Sequence, residues 1–173
     1  LFRSAGYRKM RLTSDVITNA RAYYNALKQR ELDIRGIRIP VMENLGAAQN
    51  QFDVIDLSDN SITKIENIPK FDRLNTLLLS NNLISRIASG LGANVPNCEN
   101  LNLSNNRIED FGELEHLKDW KHLSNLSLID NPIVVEKDFR ARVVAILPQL
   151  TVLNFQRVTQ KDREAAKQYM TSE

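Results

Sequence analysis

The stretch Phe52-Asp53-Val54-Ile55-Asp56-Leu57-Ser58-Asp59-Asn60-Ser61-Ile62 alternates around Ile55 and Leu57, turns polar, and places Asn60 two residues before Ile62. Leu74, Leu77, Leu79, Asn82 and Ile84 repeat that spacing, followed by Cys98, Leu101, Leu103, Asn106 and Ile108, then Leu123, Leu126, Leu128, Asn131 and Ile133. Two degenerate copies flank these four: Leu32, Ile34, Ile37 and Ile39 before, and Leu150, Leu153, Phe155 and Val158 after, each with an aliphatic residue in place of Asn. Positions 32, 55, 77, 101, 126 and 153 are equivalent, so the unit recurs every 22–27 residues. With five or six matched positions per copy, chance is a very poor explanation.

This is the pattern of the leucine-rich repeat. The Leu-x-Leu alternation buries one face of a short strand, and the Asn that follows bonds backbone groups at a turn where no ladder exists. The predicted fold class is α/β: a solenoid with a curved parallel β-sheet of about six strands, capped by an N-terminal helix and C-terminal helices. Apolar residues at every third place in the return segments (Ile65, Ile68, Phe71 and Leu74; Phe111, Leu114, Leu117, Trp120 and Leu123) suit a 3₁₀-like connection. All five prolines fall outside the strand cores. Ile17, Ala20, Tyr24 and Leu27 recur at helical spacing and predict a cap helix from Ser14 to about Lys28, started by Thr13 or Ser14. Phe139, Val143, Ile146 and Leu147 predict a second helix stopping before Pro148, and Asp162 to Met170 a last short one. The expected organisation is an extension over residues 1–9 and a single domain over 10–173. Within it, residues 10–30 form the cap helix, 31–135 the repeats, and 136–173 the last repeat and C-terminal cap, with both ends closed.

With 42% hydrophobic and 25% charged residues in 173, the chain has the composition of a globular domain with a sizeable core. No apolar run reaches the roughly 18 residues of a membrane span, and no apolar leader is present, so a cytosolic or nuclear location without membrane attachment is expected. One cysteine and two histidines make neither an internal disulfide nor a structural zinc site. Residues 1–50, 51–135 and 136–173 carry net charges of +5, −5 and +2. Three of the first positive charges, Arg3, Arg8 and Lys9, precede Met10.

The outward residues of adjacent strands should align in rows across the concave sheet. The central row is Asp33, Asp56, Leu78, Asn102, Ser127 and Asn154, flanked by Glu31, Val54, Thr76, Asn100, Asn125 and Val152 and by Arg35, Ser58, Ser80, Ser104, Ile129 and Gln156. Val54, Leu78, Ile129 and Val152 are expected to face solvent beside carboxylates and amides, the composition of an interface. Six strands about 4.8 Å apart span roughly 24 Å, the length of a helix of about 16 residues. Asp33 and Asp56 suggest that such a helix brings Lys or Arg to one end. The repeated Asn residues and Cys98 read as structural, and His116 and His122 as surface residues. The acceptor patterns at Asn102 and Asn125 mean little without a secretory route. Ser61-Ile62-Thr63-Lys64 lacks the partner motifs of a nucleophile site. With no phosphate loop, triad or paired acid–base carboxylates, catalysis, a cofactor and a small-molecule substrate are not expected. Lys28, Arg30, Arg35 and Arg38 around the first strand, and Arg157, Lys161, Arg163 and Lys167 around the last, are either solvated surface or contacts for RNA phosphates.

The stretches Arg30-Glu31-Leu32-Asp33-Ile34-Arg35-Gly36, Ile39-Pro40-Val41-Met42-Glu43-Asn44-Leu45-Gly46-Ala47 and Gln51 to Asn60 go beyond a generic repeat. With Asn81-Asn82, Asn131-Pro132, Pro148 to Gln156 and Lys161 to Ala166, the chain closely resembles the A-prime family of the U2 small nuclear ribonucleoprotein from about Met10 to Met170. The third and fourth repeats match only the general pattern. The resemblance implies a nuclear scaffold in pre-mRNA splicing that grips a helix of the RRM protein B-double-prime in its concave face, the pair binding a stem-loop of U2 snRNA. Carried over by residue, Asp33, Arg35, Val54, Asp56 and Leu78 bind the partner, and strand geometry extends the site to Asn102, Ile129 and Asn154. Lys28, Arg30 and Arg163 are the RNA candidates. The alternative is another leucine-rich-repeat adaptor, or a phosphatase-regulatory subunit, with an RNA-independent partner.

Overall fold

The computed structural model describes residues 10–172; Leu1–Lys9, read above as an extension, lie outside the described residues. In chain order the described elements are α1 (Ser14–Thr18), β1 (Arg21–Tyr24), β2 (Arg30–Asp33), β3 (Val54–Asp56), β4 (Lys64–Ile65), β5 (Thr76–Leu78), β6 (Arg86–Ile87), β7 (Asn100–Asn102), α2 (Phe111–Glu115), β8 (Asn125–Ser127), α3 (Phe139–Ile146), β9 (Val152–Leu153), β10 (Gln156–Arg157) and α4 (Gln160–Thr171). A strand of two to four residues forms around the first apolar residue of each pair, which enters the core: Leu32, Ile55, Leu77, Leu101, Leu126 and Leu153 are all buried. These six strands, β2, β3, β5, β7, β8 and β9, pair in parallel with Ile55 opposite Leu32 and Leu77, and Leu101 opposite Leu77 and Leu126.

The Asn residues tie each repeat to the one before. Asn82 donates to the carbonyls of Leu57 (3.0 Å) and Leu79 (3.1 Å) and accepts the N–H of Ile62 (3.1 Å). Asn60, Asn106 and Asn131 do the same for their neighbours. A buried turn is possible here only because side-chain amides satisfy its backbone.

Three expectations are corrected. The cap helix covers only Ser14–Thr18, with Thr13 as its N-cap, and Arg21–Tyr24 is a strand antiparallel to β2. Tyr24 (68% exposed) and Leu27 (78% exposed) are therefore no buried helical stripe. The open edge of β2 needs a ladder partner, and the Tyr23-Tyr24 pair suits a strand better than a helix. Second, the sheet among the described residues has eight strands in the order β1-β2-β3-β5-β7-β8-β9-β10, because an antiparallel strand closes each end. Third, the return segments are mixed. Ile65 to Leu74 is mostly irregular and begins at the end of β4, which pairs with β6 in a second sheet, while Phe111–Glu115 is α-helical. Past Glu115 the expected three-residue bonding does appear, with Leu117, Trp120 and Leu123 N–H donating to the carbonyls of Leu114, Leu117 and Trp120 (3.0–3.1 Å), and 3₁₀ helices proper lie at Leu45–Ala48, Gly92–Asn94 and Pro132–Val135.

At the C-terminal end α3 falls where its apolar stripe predicts, and α4 starts on a capping box between Thr159 and Asp162. Arg140 of α3 donates to both Asp162 carboxylate oxygens (3.0 and 3.1 Å) and to the carbonyls of Leu153 and Arg157, joining α3, α4 and both last strands. Arg140 and its hydrogen bonds hold the Asp162 carboxyl down at about 2.

Candidate functional site

The strand register puts Tyr23, Glu31, Val54, Thr76, Asn100, Asn125 and Val152 in one row across the concave face. Arg21, Asp33, Asp56, Leu78, Asn102 and Ser127 form the next. Between them lies a groove of about 350 Å³ whose lining includes Leu27, Val54, Leu78, Asn102, Ser127 and Phe155. Its two ends are set by backbone chemistry. At one end Asn25 accepts the N–H groups of Leu27 and Gln29 (3.0 Å each) and donates to Glu31 (3.1 Å), which fixes the β1–β2 turn and holds Leu27 out. At the other, Asn154 and Phe155 take left-handed φ of 52° and 60°, turning the chain into β10 and leaving Phe155 66% exposed.

Asp33, Arg35 and Asp56 gather at the rim near β2 and β3. Arg35 Nε is 3.0 Å from Asp33 and 3.6 Å from Asp56. This guanidinium lowers the Asp33 pKa, and the carboxylates raise that of Arg35. Asp56 moves the other way: burial raises its pKa, opposed by the Ser58 N–H at 2.9 Å. The two aspartates thus already share a cation from their own chain, where the sequence suggested an incoming Lys or Arg.

Of the predicted partner residues, Asp33, Arg35, Val54, Asp56, Leu78 and Asn102 come together on this face. Val54 (3% exposed) is groove floor and Asp56 (6% exposed) is buried beside it at the rim, so neither is free surface, which corrects the expectation that Val54 faces solvent. Ile129 is half-buried beyond the end of β8 and outside the groove lining. Asn154 leaves the central row, since its side chain turns inward to accept the Leu128 N–H at 2.7 Å. Gln156 leaves its row too, pairing antiparallel with Leu153 on β10.

Arg21, Tyr23, Leu27 and Phe155 were missed. The first three were hidden by the helical reading of 14–28, and Phe155 occupies a repeat position that is normally core. Arg21 sits 4.4 Å over the Tyr23 ring. Desolvation first, and Glu31 second, push the Tyr23 hydroxyl pKa up.

The RNA candidates are not one patch. Lys28 is exposed at the hairpin tip, and Arg30 is half-buried with its guanidinium 5.2 Å over Phe52. Arg163, at the far end of the sheet, donates to the carbonyls of Pro148 and Leu150 (2.9 Å each). Among the described residues no His, Cys, Asp and Glu cluster has metal-site geometry. Burial pushes the Cys98 thiol up to about 12.

A family model described as "Leucine-rich repeat" matches residues 9–173. The U2 small nuclear ribonucleoprotein A' of Arabidopsis thaliana is 46% identical over 165 residues, covering 95% of this chain and 66% of that protein. The Homo sapiens protein of the same name is 45% identical over 158 residues, covering 91% and 62%. This chain therefore spans less than two thirds of either relative. Among solved structures, the crystal structure of the Drosophila melanogaster SNF/U2A' complex superposes with a TM-score of 0.90 at 42% identity, over 93% of this chain and 92% of that one. Repeat, register and these likenesses agree: the chain belongs to the U2 small nuclear ribonucleoprotein A' family of leucine-rich-repeat proteins.

Proposed function

We propose that this chain is a non-catalytic, nuclear scaffold of the U2 small nuclear ribonucleoprotein in pre-mRNA splicing. It holds a helix of an RRM protein of the B-double-prime type in its concave face, and the pair binds a stem-loop of U2 snRNA. The observation that carries this reading is the groove itself, with Leu78 half-buried at its centre and Leu27 and Phe155 exposed at its ends. Large apolar side chains held out on a rigid frame are the anchors of an interface. Seven strands from β1 to β9, about 4.8 Å apart, span roughly 29 Å, which a helix of about 19 residues fills. The related chain in the SNF/U2A' structure is itself in a complex with another protein. On this chain Lys28, next to Leu27 and exposed, is the best placed cation for a phosphate, since Arg30 and Arg163 are engaged internally. Partner and RNA binding are then linked, and the coupling is reciprocal.

The test is a titration of the chain into the RRM protein with and without the stem-loop. Leu78→Arg should weaken protein binding at least about thirtyfold, as removal of a central anchor does. Lys28→Glu should leave it unchanged and lower only RNA affinity in the ternary mixture. Absence of wild-type binding to the RRM protein overturns the reading.

A further inference from the structure

On the other side of the molecule, α2, α3 and α4 enclose a groove of about 290 Å³ whose lining includes Phe111, Lys118, Arg142, Ile146, Tyr169 and Met170. It shares no residue with the concave groove. The Arg142 guanidinium lies 3.6 Å from the Phe111 ring centroid and 5.6 Å from that of Tyr169. Phe111 is itself packed against Phe139, with centroids 6.3 Å apart. Among the described residues no carboxylate lies within ion-pair distance of Arg142, and its side chain donates no hydrogen bond. A guanidinium held against ring faces keeps its charge and presents its N–H fork only along the edge. Lys118 and Glu115 pair with each other, so among the described residues of the lining Arg142 is the cation without an ion-pair partner. Ala145, Ile146 and Met170 supply an apolar wall, and Met170 is 57% exposed.

We propose that this groove is a docking site for a short acidic and apolar segment of a protein partner. One carboxylate of the segment takes the Arg142 fork in bidentate fashion, and an adjacent apolar side chain lies against Ile146 and Met170. A planar carboxylate matches the edge of a guanidinium in geometry and charge. A nucleic-acid backbone fits worse, because it is held by several cations acting together, and here a single net charge stands beside the Glu115 carboxylate. The site is independent of the concave face, so both can be occupied at once.

The probe is the peptide acetyl-Leu-Glu-Leu-amide, with its Gln counterpart, titrated into the full chain while the Arg142 Nε–H and Tyr169 ring resonances are followed by NMR. The Glu peptide should give saturable shifts at both, and the Gln peptide should bind about tenfold more weakly. Arg142→Lys, which keeps the charge and loses the fork, should weaken the Glu peptide to a similar degree, with amide resonances outside the groove confirming the fold. Equal binding of the two peptides by the wild-type chain would overturn the proposal, as would the lack of any saturable shift at Arg142. Displacement of the Glu peptide by substoichiometric oligouridylate would assign the groove to phosphate instead, and likewise overturn it.

Discussion

Asn82 is 5% exposed and serves four backbone groups of two repeats, the carbonyls of Leu57, Leu79 and Ser80 and the N–H of Ile62. Truncation would strand these groups in the interior, where each unmet hydrogen bond costs about 1–3 kcal/mol. We therefore expect Asn82→Ala to lower stability by about 3 kcal/mol in urea titrations, while Asn81→Gly, one residue earlier, costs less than about 1 kcal/mol, since the bonds it loses to Asp59 and Asn105 are solvent-exposed. Asn81 is exposed with φ of 57°, a conformation that glycine adopts freely. Phe155 is the opposite case. A bulky aromatic with φ of 60° and most of its surface in water has backbone and solvation both against it, so Phe155→Asn should leave stability unchanged or raise it, read in the same urea titrations.

At the scale of elements, the return side of the solenoid is held by close backbone approaches and by side chains that stand in for strands. Among the described residues the β4–β6 sheet has two strands, and its outer edge is closed by α2 and its cap: Glu113 accepts the Ile87 N–H at 2.7 Å and His116 Nδ1 lies 2.6 Å from the Ile87 carbonyl oxygen. Two side chains of one helical turn thus do what a third strand would, and they leave no open edge at Ile87 for another chain to pair with. The 3₁₀ turn at Gly92 approaches the Asp119 backbone so closely that an added Cβ would lie 2.1 Å from its carbonyl oxygen. Gly92→Ala should cost about 2 kcal/mol or more, because backbone must move on both sides. Gly46→Ala, with nothing within 4 Å of its Cβ position, is the matched control and should leave the thermal midpoint almost unchanged.

For the whole molecule, a solenoid whose repeats touch only their neighbours is as stable as its ends allow. The C-terminal end rests on Arg140 and Asp162, whose carboxyl titrates at about 2 in the folded chain. An unfolded aspartate titrates near about 3.9, so the folded state prefers the ionised form. The linkage amounts to about 2 kcal/mol of stability, present above about pH 4 and lost as pH falls through about 2. Chemical denaturation between pH 6 and pH 2 should show this fall in the wild-type chain and a flatter profile in Asp162→Asn. Asp56 has the opposite sign, since its raised pKa makes ionisation unfavourable in the fold, and stability from this group declines as pH rises.

Local spacing determined the repeat unit, the six parallel strands, the buried leucines and the structural Asn residues, because each of those depends on contacts with the same positions of the adjacent copy. It also placed Asp33, Asp56, Leu78 and Asn102 on one face, since alternate residues of a strand share a side. The two ends of the sheet obey no repeat. Whether Arg21–Tyr24 continues a helix or becomes a strand depends on the unpaired edge of β2, a partner beginning six residues later that local propensity does not register. Phe155 occupies a position that is core in every other copy, and it is exposed because left-handed backbone at Asn154 and Phe155 turns the chain into β10. The neutralisation of Asp33 and Asp56 by Arg35, and the lone guanidinium of Arg142 between two rings, depend on side chains meeting across elements. Those meetings are settled by tertiary packing and not by any period along the chain.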